Sequence, residues 1–92
     1  MRSIFNIMDN NQPNNFITIQ NVRQDIIGEI DAIIQYEAHI AQTTDRVAKE
    51  VLGNIVKEEK HHVGELFGLL FKLDQESRVE FERGLKEFEE LN

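Results

Sequence analysis

Residues 29–66 read EIDAIIQYEAHIAQTTDRVAKEVLGNIVKEEKHHVGEL, and the Thr-Thr-Asp break at residues 43–45 decides the fold. Threonine and aspartate are favoured N-cap residues, so this cluster predicts the end of one helix and the start of another. On both sides of the break, apolar residues recur at helical spacing and proline is absent. We therefore predict two long helices, from about Val22 to Gln42 and from about Arg46 to Leu73, folded as an antiparallel hairpin.

The segment before the hairpin, residues 1–21, differs in composition from the rest of the chain. It is rich in Asn and Gln, contains the only proline, Pro13, and shows no sustained apolar period. Such a polar segment buries too little apolar surface to offset the entropy lost on ordering. We therefore predict a flexible N-terminal arm over residues 1–21.

The segment after the hairpin, residues 74–92, is predicted to form a third helix from about Gln75 to Leu91, with Asp74 as its cap. Its main apolar side chains share one stripe among acidic residues: Phe81, Leu85 and Phe88. The predicted fold class is therefore all-α. Residues 22–73 form the antiparallel two-helix hairpin, and residues 74–92 form a C-terminal amphipathic helix.

Size and composition restrict the partners and the chemistry. A chain of 92 residues buries little apolar surface alone, so we expect it to associate. The sequence has no cysteine, which excludes thiolate metal sites and cysteine nucleophiles. Its net charge of −7 argues against a nucleic-acid partner and suits a protein that handles cations. No apolar stretch is long enough to span a membrane and no signal pattern is evident, so we expect a cytoplasmic protein.

Steps that alternate between three and four residues place side chains along one seam of a helix. On the first helix the seam comprises Val22, Ile26, Glu29, Ile33, Tyr36 and Ile40. On the second helix it comprises Leu52, Ile55, Glu59, His62, Leu66, Leu69 and Leu73. Burying an uncompensated carboxylate costs on the order of several kcal/mol, so the acids on these apolar seams indicate a bound metal ion.

Glu59 and His62 place an oxygen and a nitrogen ligand on one helix face, and Glu29 faces them from the other helix. Di-iron carboxylate bundles take one Glu from each of two helices and Glu-x-x-His from each of two others. One hairpin holds half of this set, so we predict a homodimer that completes a four-helix bundle. The two copies of Glu29 and Glu59 match the charge of two divalent ions.

The predicted donors suit Fe(II), Mn(II) or Zn(II), and only iron or manganese adds redox chemistry. Tyr36 follows Glu29 by seven residues, on nearly the same face. It is placed either to hydrogen-bond a ligand carboxylate or to serve as an ordinary core tyrosine. The candidate catalytic residues are therefore Glu29, Glu59, His62 and Tyr36, and the first three are the candidate metal ligands.

Two segments, EIDAIIQYE at residues 29–37 and EEKHHVGEL at residues 58–66, resemble the encapsulated ferritins. These are short ferritin-like proteins housed in encapsulin nanocompartments. The strongest element of the resemblance is the spacing of 30 residues between Glu29 and Glu59, followed by His62. The resemblance extends over roughly residues 22–91.

The resemblance implies that Glu29, Glu59 and His62 are iron ligands of a ferroxidase centre across a dimer interface, within a ferritin-like four-helix bundle. Zn, Mn or Ca would be substitutes for Fe. It also implies a ring-shaped decamer of five dimers that supplies oxidised iron for storage inside an encapsulin shell. Some members carry an acid directly before the first ligand, near an iron access path, whereas this chain has Gly28 there.

Two other functions stay open at this stage. A rubrerythrin-like peroxide reductase would use a related carboxylate site, although this sequence contains no cysteine-rich electron-transfer module. A structural or adaptor bundle would use the metal only to staple the dimer. A ferroxidase differs from both because it turns over Fe(II) with oxygen.

Overall fold

The computed structural model describes residues 13–91, which form three α-helices joined by short connections. The helices are α1, Pro13–Gln42; α2, Arg46–Leu73; and α3, Gln75–Glu90. Residues 13–91 contain no strand, so the predicted all-α class is confirmed. None of the helices in this range combines the length and the apolarity that a membrane span requires.

The first helix starts earlier than predicted. It begins at Pro13 rather than Val22, so α1 takes in residues that their composition assigned to a flexible arm. The reason is an apolar period that the Asn and Gln residues obscure: Phe16 and Ile19 are half-buried and Val22 is buried. Proline suits the first turn of a helix because its missing N–H is not needed there. The remainder of the predicted arm, residues 1–12, lies outside the described residues.

Residues Gln24–Phe67 form one compact unit, an antiparallel hairpin of α1 and α2. The connection between its helices is three residues long. Asp45 caps α2, because its Oδ1 accepts a 2.8 Å hydrogen bond from the Ala48 backbone N–H. An ion pair of 3.8 Å between Lys60 and Glu37 links the two helices.

The predicted seam residues of this hairpin unit are all buried or half-buried, from Ile26 on α1 to Leu66 on α2. Val56 is also buried, although it lies outside the predicted seam. The packed face of α2 is therefore wider than the predicted seam. Other large apolar side chains of the unit stay exposed in a single copy: Ile27, Ile30, Ile34, Val47 and Val51.

The second compact unit contains, among the described residues, 13–23 and 68–91. A polar cluster holds the start of α3 in this unit. Asp74 Oδ2 accepts hydrogen bonds from the Ser77 hydroxyl at 2.5 Å and from Arg23 Nη2 at 2.8 Å. The Ser77 hydrogen bond and, to a lesser degree, the Arg23 charge lower the pKa of Asp74 below 3.8.

The apolar stripe predicted on α3 is exposed in a single copy of the chain. Phe81, Leu85 and Phe88 are 45%, 51% and 62% exposed. The Phe81 ring lies against Phe71 within the same unit, with 5.1 Å between the ring centroids. On the charged side of α3, ion pairs join side chains three and four residues apart.

Asp74→Asn tests the polar cluster at the start of α3. The variant keeps an oxygen acceptor for Ser77 but loses the charge that Arg23 binds, so we expect a loss of about 0.5 kcal/mol of stability at neutral pH. Because the folded pKa of Asp74 lies below 3.8, its charge stabilises the fold above that pH and this contribution disappears as the pH falls through the folded value. Thermal unfolding of the variant and the wild type at several pH values measures the difference in stability between them. A difference that stays the same in acid would contradict the prediction.

Candidate metal centre

Glu29 on α1 and Glu59 and His62 on α2 come together within the hairpin unit. His62 Nδ1 lies 3.6 Å from Glu29 Oε2 and 4.0 Å from Glu59 Oε2. One ligand atom from each of the three residues lies within 4.8 Å of the other two. No other group of three or more His, Asp and Glu side chains in residues 13–91 meets so closely.

Local structure explains why these residues meet. Glu59 and His62 are three residues apart on α2, a spacing that places two side chains next to each other on a helix surface. Glu29 reaches them because the short connection at residues 43–45 folds α1 and α2 back on each other. The Asp45 cap marks the start of α2 at Arg46.

The three side chains differ in exposure, and one oxygen atom is left without a partner. Glu59 is 18% exposed, Glu29 is 27% exposed and His62 is 44% exposed. Glu29 Oε2 is shielded from solvent and has no hydrogen-bond partner among the described residues. Its 3.6 Å approach to the imidazole is too long for a hydrogen bond. A shielded carboxylate oxygen without a partner is costly, and a cation would remove that cost.

The spacing of the three ligand atoms fits a single metal ion. Ligands held about 2.1 Å from an ion lie about 3 to 4 Å from one another, close to the separations found here. Two carboxylate oxygens and an imidazole nitrogen suit Fe(II), Mn(II) and Zn(II). Three ligands from one chain leave coordination positions open for water, for oxygen or for ligands from another chain.

Tyr36 and the polar residues next to Glu59 and His62 in sequence are not part of the group formed by Glu29, Glu59 and His62. Tyr36 is half-buried, and its ring meets His39 edge-on with the ring centroids 6.5 Å apart. Its hydrogen bond to a ligand carboxylate therefore stays a prediction. His61 is 69% exposed and faces Glu65 at 3.5 Å, and Glu58 is exposed as well. His61, Glu65 and Glu58 are therefore surface residues.

An open pocket with a volume of about 440 Å³ leads to the two carboxylates. The residues that line it are Gln24, Asp25, Gly28, Glu29, Ala32, Glu59 and Leu66. Sequence reasoning did not include Asp25 in the site. Its spacing of four residues before Glu29, on the same side of α1, is the signal that would have found it.

A solved structure has the same arrangement of helices. The crystal structure of the encapsulated ferritin domain from Pyrococcus furiosus matches with a TM-score of 0.81 and 36% sequence identity, covering 85% of this chain and 80% of that one. The chain belongs to the encapsulated ferritins. The predicted ferritin-like fold is thereby confirmed for this encapsulated ferritin.

Two curated relatives also match this encapsulated ferritin. The ferritin-like-encapsulin shell fusion protein of Pyrococcus furiosus is 40% identical over 70 residues, which are 76% of this chain and 20% of that protein. The encapsulin nanocompartment cargo protein EncC of Myxococcus xanthus is 30% identical over 69 residues, which are 75% of this chain and 53% of EncC. The chain thus spans about a fifth of the first relative and about half of the second. No protein-family model matches the sequence.

Glu29→Met is expected to stabilise the metal-free protein by about 1 kcal/mol, because it replaces a half-buried carboxylate, one shielded oxygen of which accepts no hydrogen bond, with an apolar side chain of similar size. Thermal unfolding in excess chelator, at fixed protein concentration, measures the change. Glu58→Met is the matched control, because Glu58 is exposed and its substitution should change stability by less than about 0.5 kcal/mol. A lower unfolding midpoint for Glu29→Met in chelator would show that the carboxylate stabilises the metal-free fold.

Proposed function

We propose that this encapsulated ferritin is a ferroxidase that oxidises Fe(II) to Fe(III) at a di-iron centre formed between two copies of the chain. The observation that carries the proposal is the convergence of Glu29, Glu59 and His62, in which one shielded oxygen of Glu29 has no hydrogen-bond partner. Membership of the encapsulated ferritins supports iron as the metal. Zn, Mn and Ca would bind to the same oxygen and nitrogen donors without the same chemistry.

Charge and packing both support a site shared between two copies. The two carboxylates of one chain balance one divalent ion, so two chains with two ions form a nearly neutral centre. In a single copy, only four apolar side chains among the described residues are buried: Val22, Ile26, Val56 and Leu70. A second hairpin would cover apolar surface that one chain leaves exposed, and would complete a four-helix bundle.

The substrates of the proposed reaction are two Fe(II) ions and one dioxygen molecule. Each Fe(II) would lose one electron, and the dioxygen would take up both electrons and two protons to give hydrogen peroxide. The protein residues hold and orient the ions during this change. The carboxylates of Glu29 and Glu59 favour the more highly charged product, because their negative charge offsets the added positive charge. His62 supplies a neutral nitrogen donor. We retain Tyr36 as a positioning residue whose hydroxyl orients a ligand carboxylate.

The names of the relatives support a proposal for where the protein works and with which partner. One relative is a fusion with an encapsulin shell and the other is an encapsulin cargo protein. We propose that this chain also works inside an encapsulin nanocompartment in the cytoplasm, where the shell protein is its partner. Its Fe(III) product would be stored inside the shell. Five dimers of the chain would assemble into a ring-shaped decamer.

Aerobic Fe(II) oxidation tests the ferroxidase. Glu59→Ala and His62→Ala should each lower the rate of Fe(III) formation by more than about tenfold, because each removes a ligand. Glu58→Ala and His61→Ala, next to them in sequence but exposed, are the matched controls and should keep the wild-type rate. Equal rates in all four variants would refute the assignment. Metal binding without turnover would favour a stapled bundle, and much faster oxidation by peroxide than by oxygen would favour a peroxide reductase.

Metal-dependent pairing is tested separately, by native mass spectrometry with Zn(II), which cannot be oxidised. We expect Zn(II) to shift the wild-type chain towards dimers and larger multiples of dimers, because an ion that binds only the paired form stabilises it by mass action. His62→Ala should show a much smaller shift, and His61→Ala should behave as the wild type. An equal shift in both variants would place the bridging metal elsewhere.

A further inference from the structure

The C-terminal helix α3 carries an apolar stripe that its own compact unit leaves largely uncovered. No side chain is buried in α3, which lies entirely within the described residues. Leu85 and Phe88 on the stripe are more than half exposed. Phe81, at the start of the stripe, packs against Phe71. Large apolar side chains that line one side of a helix and stay exposed mark a surface on which another apolar segment packs.

The unit that contains α3 also contains the start of α1. Arg23 of α1 links them, because its Nη2 donates hydrogen bonds to Asp74 Oδ2 at 2.8 Å and to the Ser77 hydroxyl oxygen at 3.1 Å. The chain enters this unit at Pro13, from the twelve residues that precede it in the sequence. Apolar residues among those twelve are therefore tethered to the unit that carries the exposed stripe.

The sequence before Pro13 contains a short group of apolar residues: Ile4, Phe5, Ile7 and Met8. Ile4 precedes Pro13 by nine positions, which span up to about 30 Å when extended. The helix α3 has 16 residues and is therefore about 24 Å long. The segment is thus long enough to lie along the whole stripe. So short a tether gives the group an effective concentration on the order of millimolar near α3.

Charge favours the same contact. Residues 1–8 contain one base, Arg2, and no acid. The helix α3 contains six glutamates and only three basic residues. Opposite charges would therefore meet when the segment lies on α3, whereas a second copy of α3 would bring like charges together.

We propose that residues 4–8 pack on the apolar stripe of α3 in the same chain. The stripe is then covered within each chain, and copies of the chain meet through other surfaces. This contact goes beyond the proposed ferroxidase centre and does not depend on it.

Because the chain has no cysteine, two introduced cysteines give a specific test. Asn6→Cys places a thiol within the apolar group. Gly84→Cys places one beside the stripe, because Gly84 precedes Phe88 by about one helical turn and a Cβ there meets no atom within 4 Å. A short bismaleimide should link these two thiols within one chain at least about tenfold faster than in the control pair, Asn6→Cys with Arg83→Cys. Arg83 is exposed on the opposite side of α3.

Denaturing mass spectrometry separates the outcomes, because a link within one chain keeps the mass of one chain and a link between chains doubles it. Links found mainly at the doubled mass would overturn the proposal, because another copy would then cover the stripe. Equal linking rates in the Gly84 and Arg83 pairs would also overturn it, because the segment would then favour no side of α3.

A second set of variants tests whether the apolar side chains hold the segment in place. Adding Phe5→Ser and Ile7→Ser to the Asn6→Cys and Gly84→Cys pair should lower its linking rate to that of the Arg83 control. Adding Arg2→Ser alone should lower the rate by less than about threefold, because a single exposed charge is screened by salt. An unchanged rate in the Phe5→Ser and Ile7→Ser variant would overturn the proposal.

Discussion

The close approach of two carboxylates in a half-buried position is the constraint on which the rest of the structure depends. Glu29 and Glu59 would repel each other in the absence of a cation, and one shielded oxygen of Glu29 accepts no hydrogen bond among the described residues. Apolar packing of the hairpin, including the buried Ile26 and Val56, holds them together. The fold therefore maintains a locally unfavourable cluster that a bound cation would make favourable.

Pairing of two copies would explain both the small core and the incomplete set of candidate metal ligands. A single hairpin exposes apolar side chains such as Ile34 and Val51, and it presents ligands that leave an ion only partly coordinated. A second copy that packs on the hairpin would cover the exposed apolar side chains and would supply the missing ligands. Assembly and metal binding would then be thermodynamically linked, so that each makes the other more favourable.

Much of this could be predicted from the sequence, and the failures have specific causes. The limits of α2 were predicted correctly, because Asp45 is a clear cap and the apolar period of the helix is regular. The meeting of Glu59 with His62 followed from their spacing. The start of α1 was missed because Asn and Gln residues hid the period that Phe16, Ile19 and Val22 form. The pocket was not predictable, because its size depends on how far the backbones of two helices are separated.

The short connection between α1 and α2 also has a consequence for how the protein is made. Glu29 and His62 are only 33 positions apart, and Glu37 and Lys60 are closer still. Most other contacts of a helical hairpin are made within each helix, between residues three or four positions apart, and chains dominated by such local contacts have low contact order and fold quickly. The group of Glu29, Glu59 and His62 is therefore expected to form soon after the ribosome releases α2, before the chain meets a second copy.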